Sequence, residues 1–159
     1  MRALRFGLPV ALSASAALGA YATYPGNDSL TLALSGLGRL ADKFDPQLDL
    51  MLTAMIASAE IGPDGKVLLN RAFGDRRFGE PNSGRYWQIS GEGQEDFSSR
   101  SLWDRRLKVS GRKAWAEPLY YNSDQFPNEP LRFAERTVHL PGSNVEWQFV
   151  VARSRNELD

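Results

Sequence analysis

The order of the sequence patterns constrains the fold most, because one helical stripe comes first and strand and turn signals follow it. The stripe places apolar side chains at alternating spacings of three and four residues, at Leu30, Leu34, Leu37, Ala41, Phe44, Leu48, Met51 and Met55. Such heptad spacing predicts a helix, which we expect to end near Ser58. A helix followed by antiparallel strands predicts an α+β domain.

Two questions about this helix stay open in the sequence. Pro46 interrupts the stripe, so either one helix is kinked there or Asp45 caps a second helix with Pro46 at its first position. The stripe also fits two kinds of packing: against a sheet of the same domain, or against a second chain in a parallel dimer that rises from a membrane. The seam of such a dimer helix would consist of Leu30, Leu34, Leu37, Phe44 and Leu48.

The rest of the chain alternates apolar runs with turn residues. We predict strands at residues 57–61, 66–70, 85–90, 97–102, 131–140 and 145–152, and an irregular excursion at residues 108–130 that carries Tyr120, Tyr121 and Phe126. Pro63-Asp64-Gly65 predicts a hairpin turn between the first two runs, because proline presets φ and glycine accepts the left-handed position. Apolar residues alternate from Val145 to Val151, which predicts a last strand buried mostly on one face.

The first segment has the pattern of an exported protein. Arg2 and Arg5 precede the uncharged residues 6–24, which include Ala20-Tyr21-Ala22, the small-x-small form of a signal-peptidase site. The positive-inside rule places the chain after this segment outside the cytoplasm. A cytosolic protein with a poorly packed first helix is the alternative. We therefore divide the chain into a signal peptide or membrane anchor (1–24), a linker and heptad helix (25–58) and the main domain (59–159).

Composition excludes several classes of function. The chain has no cysteine and one histidine, which excludes thiol nucleophiles, disulfide frameworks, iron–sulfur clusters and His-rich metal sites. Its 19 basic and 19 acidic residues give a formal net charge of zero, whereas general nucleic-acid binders carry a basic excess. Glu92, Glu95 and Asp96 are interpreted as a solvated hairpin tip rather than as catalytic carboxylates or a cation site. We expect no cofactor, no metal, no nucleic acid and no catalytic residue in this chain.

One aromatic and arginine set could form a binding pocket. Strand alternation puts Arg85 and Trp87 on one face of a strand and Tyr86 and Gln88 on the other. A ligand pocket needs apolar walls with a few polar groups, and arginine suits an anionic ligand. The residues that would supply such a pocket are Tyr86, Trp87, Arg100 and Trp103. The alternative is that the tryptophans are core residues and that Arg100 pairs with Asp104.

Two segments carry a resemblance to a known family. Residues 83–88 have the pattern S-G-x-Y-W-Q, and residues 99–104 have the pattern S-x-S-L-W-D. In this order, with the Leu140-Pro141-Gly142 turn further on, they resemble the extracytoplasmic sensor region of a family of proteobacterial two-component sensor histidine kinases. The resemblance covers about residues 40–159. It implies a PAS-like fold, in which a long N-terminal helix precedes a central antiparallel sheet, between two membrane helices and ahead of a HAMP linker and a kinase core.

The expected function follows from this resemblance and from what the chain lacks. Val138-His139-Leu140-Pro141 has no acidic residue after the histidine, unlike a phosphoacceptor site, and no glycine-rich nucleotide lid is present. We therefore expect the signal-sensing domain of an inner-membrane sensor kinase, without the kinase core. The domain would lie in the periplasm as a homodimer, held to the membrane through its N-terminus, and would respond to a small-molecule or ionic signal. A secreted, soluble ligand-binding protein of PAS-like fold is the alternative, and a sugar-binding domain with Trp87 and Trp103 exposed is a third interpretation.

Overall fold

A computed structural model describes residues 44–71 and 74–156 of the chain. These residues belong to one compact unit, which spans Lys43–Asp159. Several predictions lie outside the described residues: the signal peptide or anchor, the linker, and the part of the dimer seam formed by Leu30, Leu34 and Leu37.

The described residues form a helix followed by antiparallel strands, so the α+β prediction is confirmed. Helix α1 covers residues 44–58. The strands are β1 (Ala59–Ile61), β2 (Val67–Leu69), β3 (Arg85–Gly91), β4 (Phe97–Ser98), β5 (Leu119–Phe126), β6 (Glu129–His139) and β7 (Glu146–Ser154). Strands β1 and β2 form a hairpin, and the others form a sheet in the order β4-β3-β7-β6-β5. All neighbouring strands are antiparallel.

Helix α1 packs on one face of this sheet. Its buried residues are Phe44, Leu48, Leu52 and Met55, which follow the helical spacing of the apolar stripe. The first described residues of the helix lie above β6 and β7, where Asp45 binds Arg132 and the Arg153 guanidinium lies 4.5 Å from the centre of the Phe44 ring. In the described part of the chain, the stripe therefore packs against its own domain. Phe44 and Leu48 belong to that core, and this corrects their placement in a dimer seam.

Asp45 does not have the capping role that the sequence suggested. It is itself a helical residue, and its two carboxylate oxygens accept hydrogen bonds from the Nε and Nη2 atoms of Arg132, both at 2.7 Å. Pro46 lies inside the same helix, after Phe44 and Asp45. A partner on a distant strand therefore outweighs the local capping signal.

The opposite face of the sheet is covered by an irregular segment, residues 99–118, which we call the covering segment. Its Leu102 and Leu107 join a core cluster with side chains from β3, β5, β6 and β7. Because both faces of the sheet are covered, β3 and β7 are buried on both sides. The prediction that the last strand is buried mostly on one face is therefore wrong. The pattern was misleading because Val150 and Ala152, on the second face, are as buried as Phe149 and Val151.

The hairpin prediction is confirmed, and one other strand prediction needs correction. Gly65 takes the left-handed conformation at φ 76°, and its N–H donates to the Gly62 carbonyl at 3.0 Å. The strand expected at residues 97–102 ends at Ser98, and Arg100–Leu102 form a 3-10 turn. The reason is that the Ser99 and Ser101 hydroxyl groups bind the backbone of β3 where strand pairing would otherwise continue.

The irregular excursion is shorter than the sequence predicted. Tyr120, Tyr121 and Phe126 lie in β5, which pairs with β6 from Leu119 onward. The prolines that suggested irregular structure, Pro118 and Pro127, flank β5 on either side. At these positions they do not remove a hydrogen bond from the ladder, so they bound the strand rather than prevent it.

Candidate functional site

The four residues of the predicted pocket do not come together. Tyr86 and Trp87 are adjacent in β3 and point to opposite faces of the sheet. Trp87 is buried and packs edge-on against Phe97, with ring centroids 5.0 Å apart. Arg100 is exposed, and Trp103 is 67% exposed at the end of the 3-10 turn. Because Trp87 is buried, the two tryptophans also do not form the exposed pair that sugar binding would need.

Tyr86 holds the covering segment to the sheet. Its hydroxyl group donates to Glu129 Oε1 at 2.6 Å and accepts from Arg105 Nη2 at 2.9 Å and from the Gly84 N–H at 3.1 Å. Burial and the hydrogen bond to Glu129 raise the pKa of Tyr86 above its usual value, against the opposing effect of Arg105. One donor and two acceptor positions are thus used within the chain, which indicates a structural role.

The covering segment has little regular structure, so its backbone depends on side chains from the sheet. Gln88 on β3 accepts from the Leu107 N–H at 2.8 Å and donates to the Leu107 carbonyl at 2.9 Å. Further along, Glu135 on β6 accepts from the Ser110 N–H at 3.2 Å. Thr137, also on β6, accepts from the Ala114 N–H at 2.9 Å. These contacts satisfy backbone groups that would otherwise be buried without partners.

A groove of about 700 Å³ lies between the covering segment and one end of the sheet. Its walls are formed by the end of β3, the start of β7 and residues 106–113, and its lining residues are Ser90, Gly91, Glu92, Arg106, Val109, Gly111, Lys113, Asn144, Val145, Glu146 and Gln148. This volume lies within the range of small-molecule sites. The groove is therefore the candidate functional site.

Charged side chains enter the groove from two different walls. Arg106 and Lys113 come from the covering segment, whereas Glu92 follows β3 and Glu146 begins β7. Lys113 forms an ion pair with Glu146 across the groove, and Arg106 forms one with Asp96 in the β3–β4 turn. Both cations are more than half exposed, so these pairs are screened by solvent and contribute little to stability.

Gly91 shapes the floor of the groove. A Cβ atom at this position would lie 2.8 Å from Val145 Cγ1 and 2.9 Å from the Trp147 ring. Only glycine therefore allows β3 to approach the start of β7 so closely. Trp147 is buried beneath this point, and its indole N–H donates to the Ser143 hydroxyl at 3.1 Å.

Sequence reasoning missed the groove because its residues come from three distant parts of the chain. The turns at residues 91–96 and 141–144 were expected as hairpin tips, but the sequence does not show that β3 and β7 are neighbours. One signal was available: five of the nine residues from Arg105 to Lys113 are basic, and none is acidic. Such a basic run, with Gly111 inside it, is the sequence signal that points to this wall of the groove.

Comparisons with known proteins add no relative to this description. A scan against protein-family models, a search of curated proteins and a search of solved structures each find no match to the chain. In residues 44–71 and 74–156, no helix has both the length and the apolar character needed to cross a bilayer. The same part of the chain holds no group of three or more acidic or histidine side chains arranged to bind a metal ion.

Proposed function

We propose that this chain is the extracytoplasmic signal-sensing domain of a membrane sensor histidine kinase, with a PAS-like fold and with the groove as its ligand site. The resemblance of residues 83–88 and 99–104 to such sensor regions supports the proposal. The helix followed by an antiparallel sheet agrees with the architecture that this resemblance implies. In this role the domain acts by a conformational shift and not by chemistry.

The observation that carries the proposal is the position of the groove relative to the ends of the described chain. Phe44 lies over Arg153, and β7 ends at Ser154, so the first and last described residues are at one end of the sheet. The groove is at the other end, where Gly91 pairs with Trp147. Six residue steps of β3 separate the two ends, which is about 20 Å. A signal bound in the groove must therefore be relayed along the domain to the connections on the opposite side.

Helix α1 has the position that such a relay requires. Its first described residue, Phe44, lies over Arg153, and the helix leads into β1 and β2. Val67 of β2 lines a small crevice together with Phe97 and Trp147. Trp147 in turn lies under Gly91 at the floor of the groove. A ligand that favours one arrangement of these contacts would shift the population of helix positions, because a ligand stabilises the conformation that binds it better.

The proposal is tested by the gene and by the location of its product. We expect the codons after Asp159 to encode an apolar helix, a HAMP-like linker and a phosphoacceptor histidine, and we expect the product to sediment with the inner membrane. A stop codon, together with release of the mature protein in the periplasmic fraction, would reject the kinase assignment. That outcome would support the secreted ligand-binding protein instead.

A further inference from the structure

We propose that the groove binds a small zwitterion, a molecule that carries one carboxylate and one ammonium group, as an amino acid does. This inference deepens the proposed function, because it names the class of signal for the same site. It rests on the separation of charge between the two walls, on the ion pair that crosses the groove and on the neutral groups between them.

The charges on the two walls match a dipolar ligand. Both lining cations, Arg106 and Lys113, belong to the covering segment, and both lining carboxylates, Glu92 and Glu146, belong to the ends of sheet strands. A ligand carboxylate would therefore face the covering segment, and a ligand ammonium group would face the sheet. Charge-assisted hydrogen bonds of this kind are about twice as strong as neutral ones.

The ion pair between Lys113 and Glu146 selects against ligands with one kind of charge. It joins the two oppositely charged walls. A plain anion that binds Lys113 would take the partner of Glu146, and a plain cation that binds Glu146 would take the partner of Lys113. A zwitterion replaces this single pair with two pairs and leaves neither side chain without a counter-charge.

The remaining lining suits a small and mostly polar molecule. Ser90, Asn144 and Gln148 offer a hydroxyl and two amide groups, which can both donate and accept hydrogen bonds. Val109 and Val145 add short apolar surfaces for a side chain of the ligand. Only a few polar groups are needed to fix the orientation of a ligand in a site of this volume.

The test compares three probes built on L-alanine: L-alanine itself, N-acetyl-L-alanine, which lacks the ammonium charge, and L-alaninamide, which lacks the carboxylate charge. The full chain is labelled with nitrogen-15, and amide shifts of Gly91 and Gly111 are followed by NMR at constant ionic strength. We expect saturable shifts with L-alanine, and an affinity at least about tenfold weaker for each of the other probes, which corresponds to about 1.4 kcal/mol. Equal binding of N-acetyl-L-alanine would show a plain anion site, and equal binding of L-alaninamide a plain cation site; either result overturns the proposal.

Variants then connect the binding to the two walls. Lys113→Gln and Glu92→Gln should each weaken L-alanine binding about tenfold, since each removes one charged partner. The matched controls are Lys108→Gln and Glu117→Gln, which change exposed residues outside the groove lining and should leave the affinity unchanged. Glu92 is exposed, so its substitution does not threaten folding.

Failure of this inference is distinguishable from failure of the proposed function. Absence of any shift at Gly91 and Gly111 with L-alanine, or the same loss of affinity in the control variants, overturns the zwitterion assignment even if a kinase core is encoded after Asp159. Selective binding of L-alanine without an encoded kinase core supports the ligand class and rejects only the kinase. The two experiments therefore test separate statements.

Discussion

The two faces of the sheet are covered in different ways, by a helix on one face and by an irregular segment on the other. Helix α1 satisfies its own backbone hydrogen bonds and contributes mainly apolar side chains to its interface, such as Leu48 and Leu52. The covering segment has no such internal ladder beyond its short 3-10 turn. Its backbone N–H groups therefore donate hydrogen bonds to Gln88, Glu135 and Thr137 on the sheet.

The two faces also differ in what their buried polar side chains contact: fully buried Arg153 on the helix face lies against the Phe44 ring of α1, whereas on the other face such side chains bind backbone groups. Gln88, Glu135 and Thr137 are all at most 1% exposed, and each of them faces the covering segment. Buried polar groups of this kind are stable only while their partners are in place. The helix is held to the sheet mainly by apolar side-chain packing, whereas the cover of the opposite face depends on hydrogen bonds to its backbone. The groove lies beside this second cover.

The largest expected effect tests the helix face. Leu52→Ala should lower the free energy of unfolding by about 3 kcal/mol, because it leaves a cavity at a fully buried position. Leu50→Ala is the matched control on the same helix, and it should change stability by less than about 0.5 kcal/mol because Leu50 is 71% exposed. Urea unfolding of both variants provides the measurement. Equal losses in the two variants would show that α1 does not pack on the sheet through this face.

The next effect tests the covering segment with a pair of glutamines. Gln88 and Gln125 each bind the N–H and the carbonyl of one backbone residue, Leu107 and Lys108 respectively. Gln88→Ala should cost about 2 kcal/mol, because it leaves two buried backbone groups without partners. Gln125→Ala should cost less than about 1 kcal/mol, because water reaches Lys108.

Hydrogen exchange separates this explanation from a general loss of packing. In the Gln88→Ala variant, the amide of Leu107 should exchange faster than the amides of β6, since the segment opens locally before the sheet unfolds. Uniform acceleration across all amides would mean that Gln88 acts through global stability alone. The two faces would then not differ in the way proposed.

The same contrast explains how much of the fold the sequence could predict. Periodicity identified α1 and the β1–β2 hairpin, because their signals are local: apolar spacing in the helix, and Pro63 with Gly65 in the turn. The covering segment has no period, and its hydrogen-bond partners lie 19 to 25 residues away in the chain. Pattern reasoning cannot reach such contacts, so it extended the irregular excursion into β5.

The candidate site could not be predicted from the sequence, for a related reason. The sequence correctly divided β3 into two faces, but it gave no information about which strand lies beside β3. Gly91 and Glu146 become neighbours only through the antiparallel pairing of β3 with β7, more than fifty residues later in the chain. The predicted pocket instead joined residues close in sequence, Tyr86 and Trp87, which the pleat of the strand separates.

A third expected effect tests the ion pair between Asp45 of α1 and Arg132 of β6. Asp45→Asn should cost about 1–2 kcal/mol, because it removes the charge from a bidentate pair with Arg132 that is three-quarters or more buried. Amides at the start of α1 should then exchange faster than those near Met55. The control is Asp124→Asn on exposed β5, which should leave both stability and exchange unchanged. An unchanged exchange rate at the start of α1 would show that packing of Phe44 alone holds this end.

The smallest expected effect tests whether α1 also covers the edge strand β5. Burial, together with the carboxylates of Asp49 and Asp45 on α1, raises the pKa of Tyr120 on β5 to about 12, against the opposing effect of Arg132. Because the folded pKa lies above the ordinary value of 10.0, the folded state holds the phenolic proton more tightly than the unfolded state. The resulting stability is fully present below pH 10 and is lost as the pH rises through about 12.

Ultraviolet titration of the phenolate measures this effect directly, as the difference between the unmodified protein and Tyr120→Phe. We expect the difference curve to have its midpoint near 12, and we expect Asp49→Asn to move that midpoint toward 10 because it removes a negative charge from the α1 side. A midpoint at the ordinary value in the unmodified protein would mean that α1 does not reach β5 in solution. The helix would then cover only β3, β7 and β6, and the edge strand β5 would be open to solvent on that face. The contrast between the two faces would in that case be confined to the centre of the sheet.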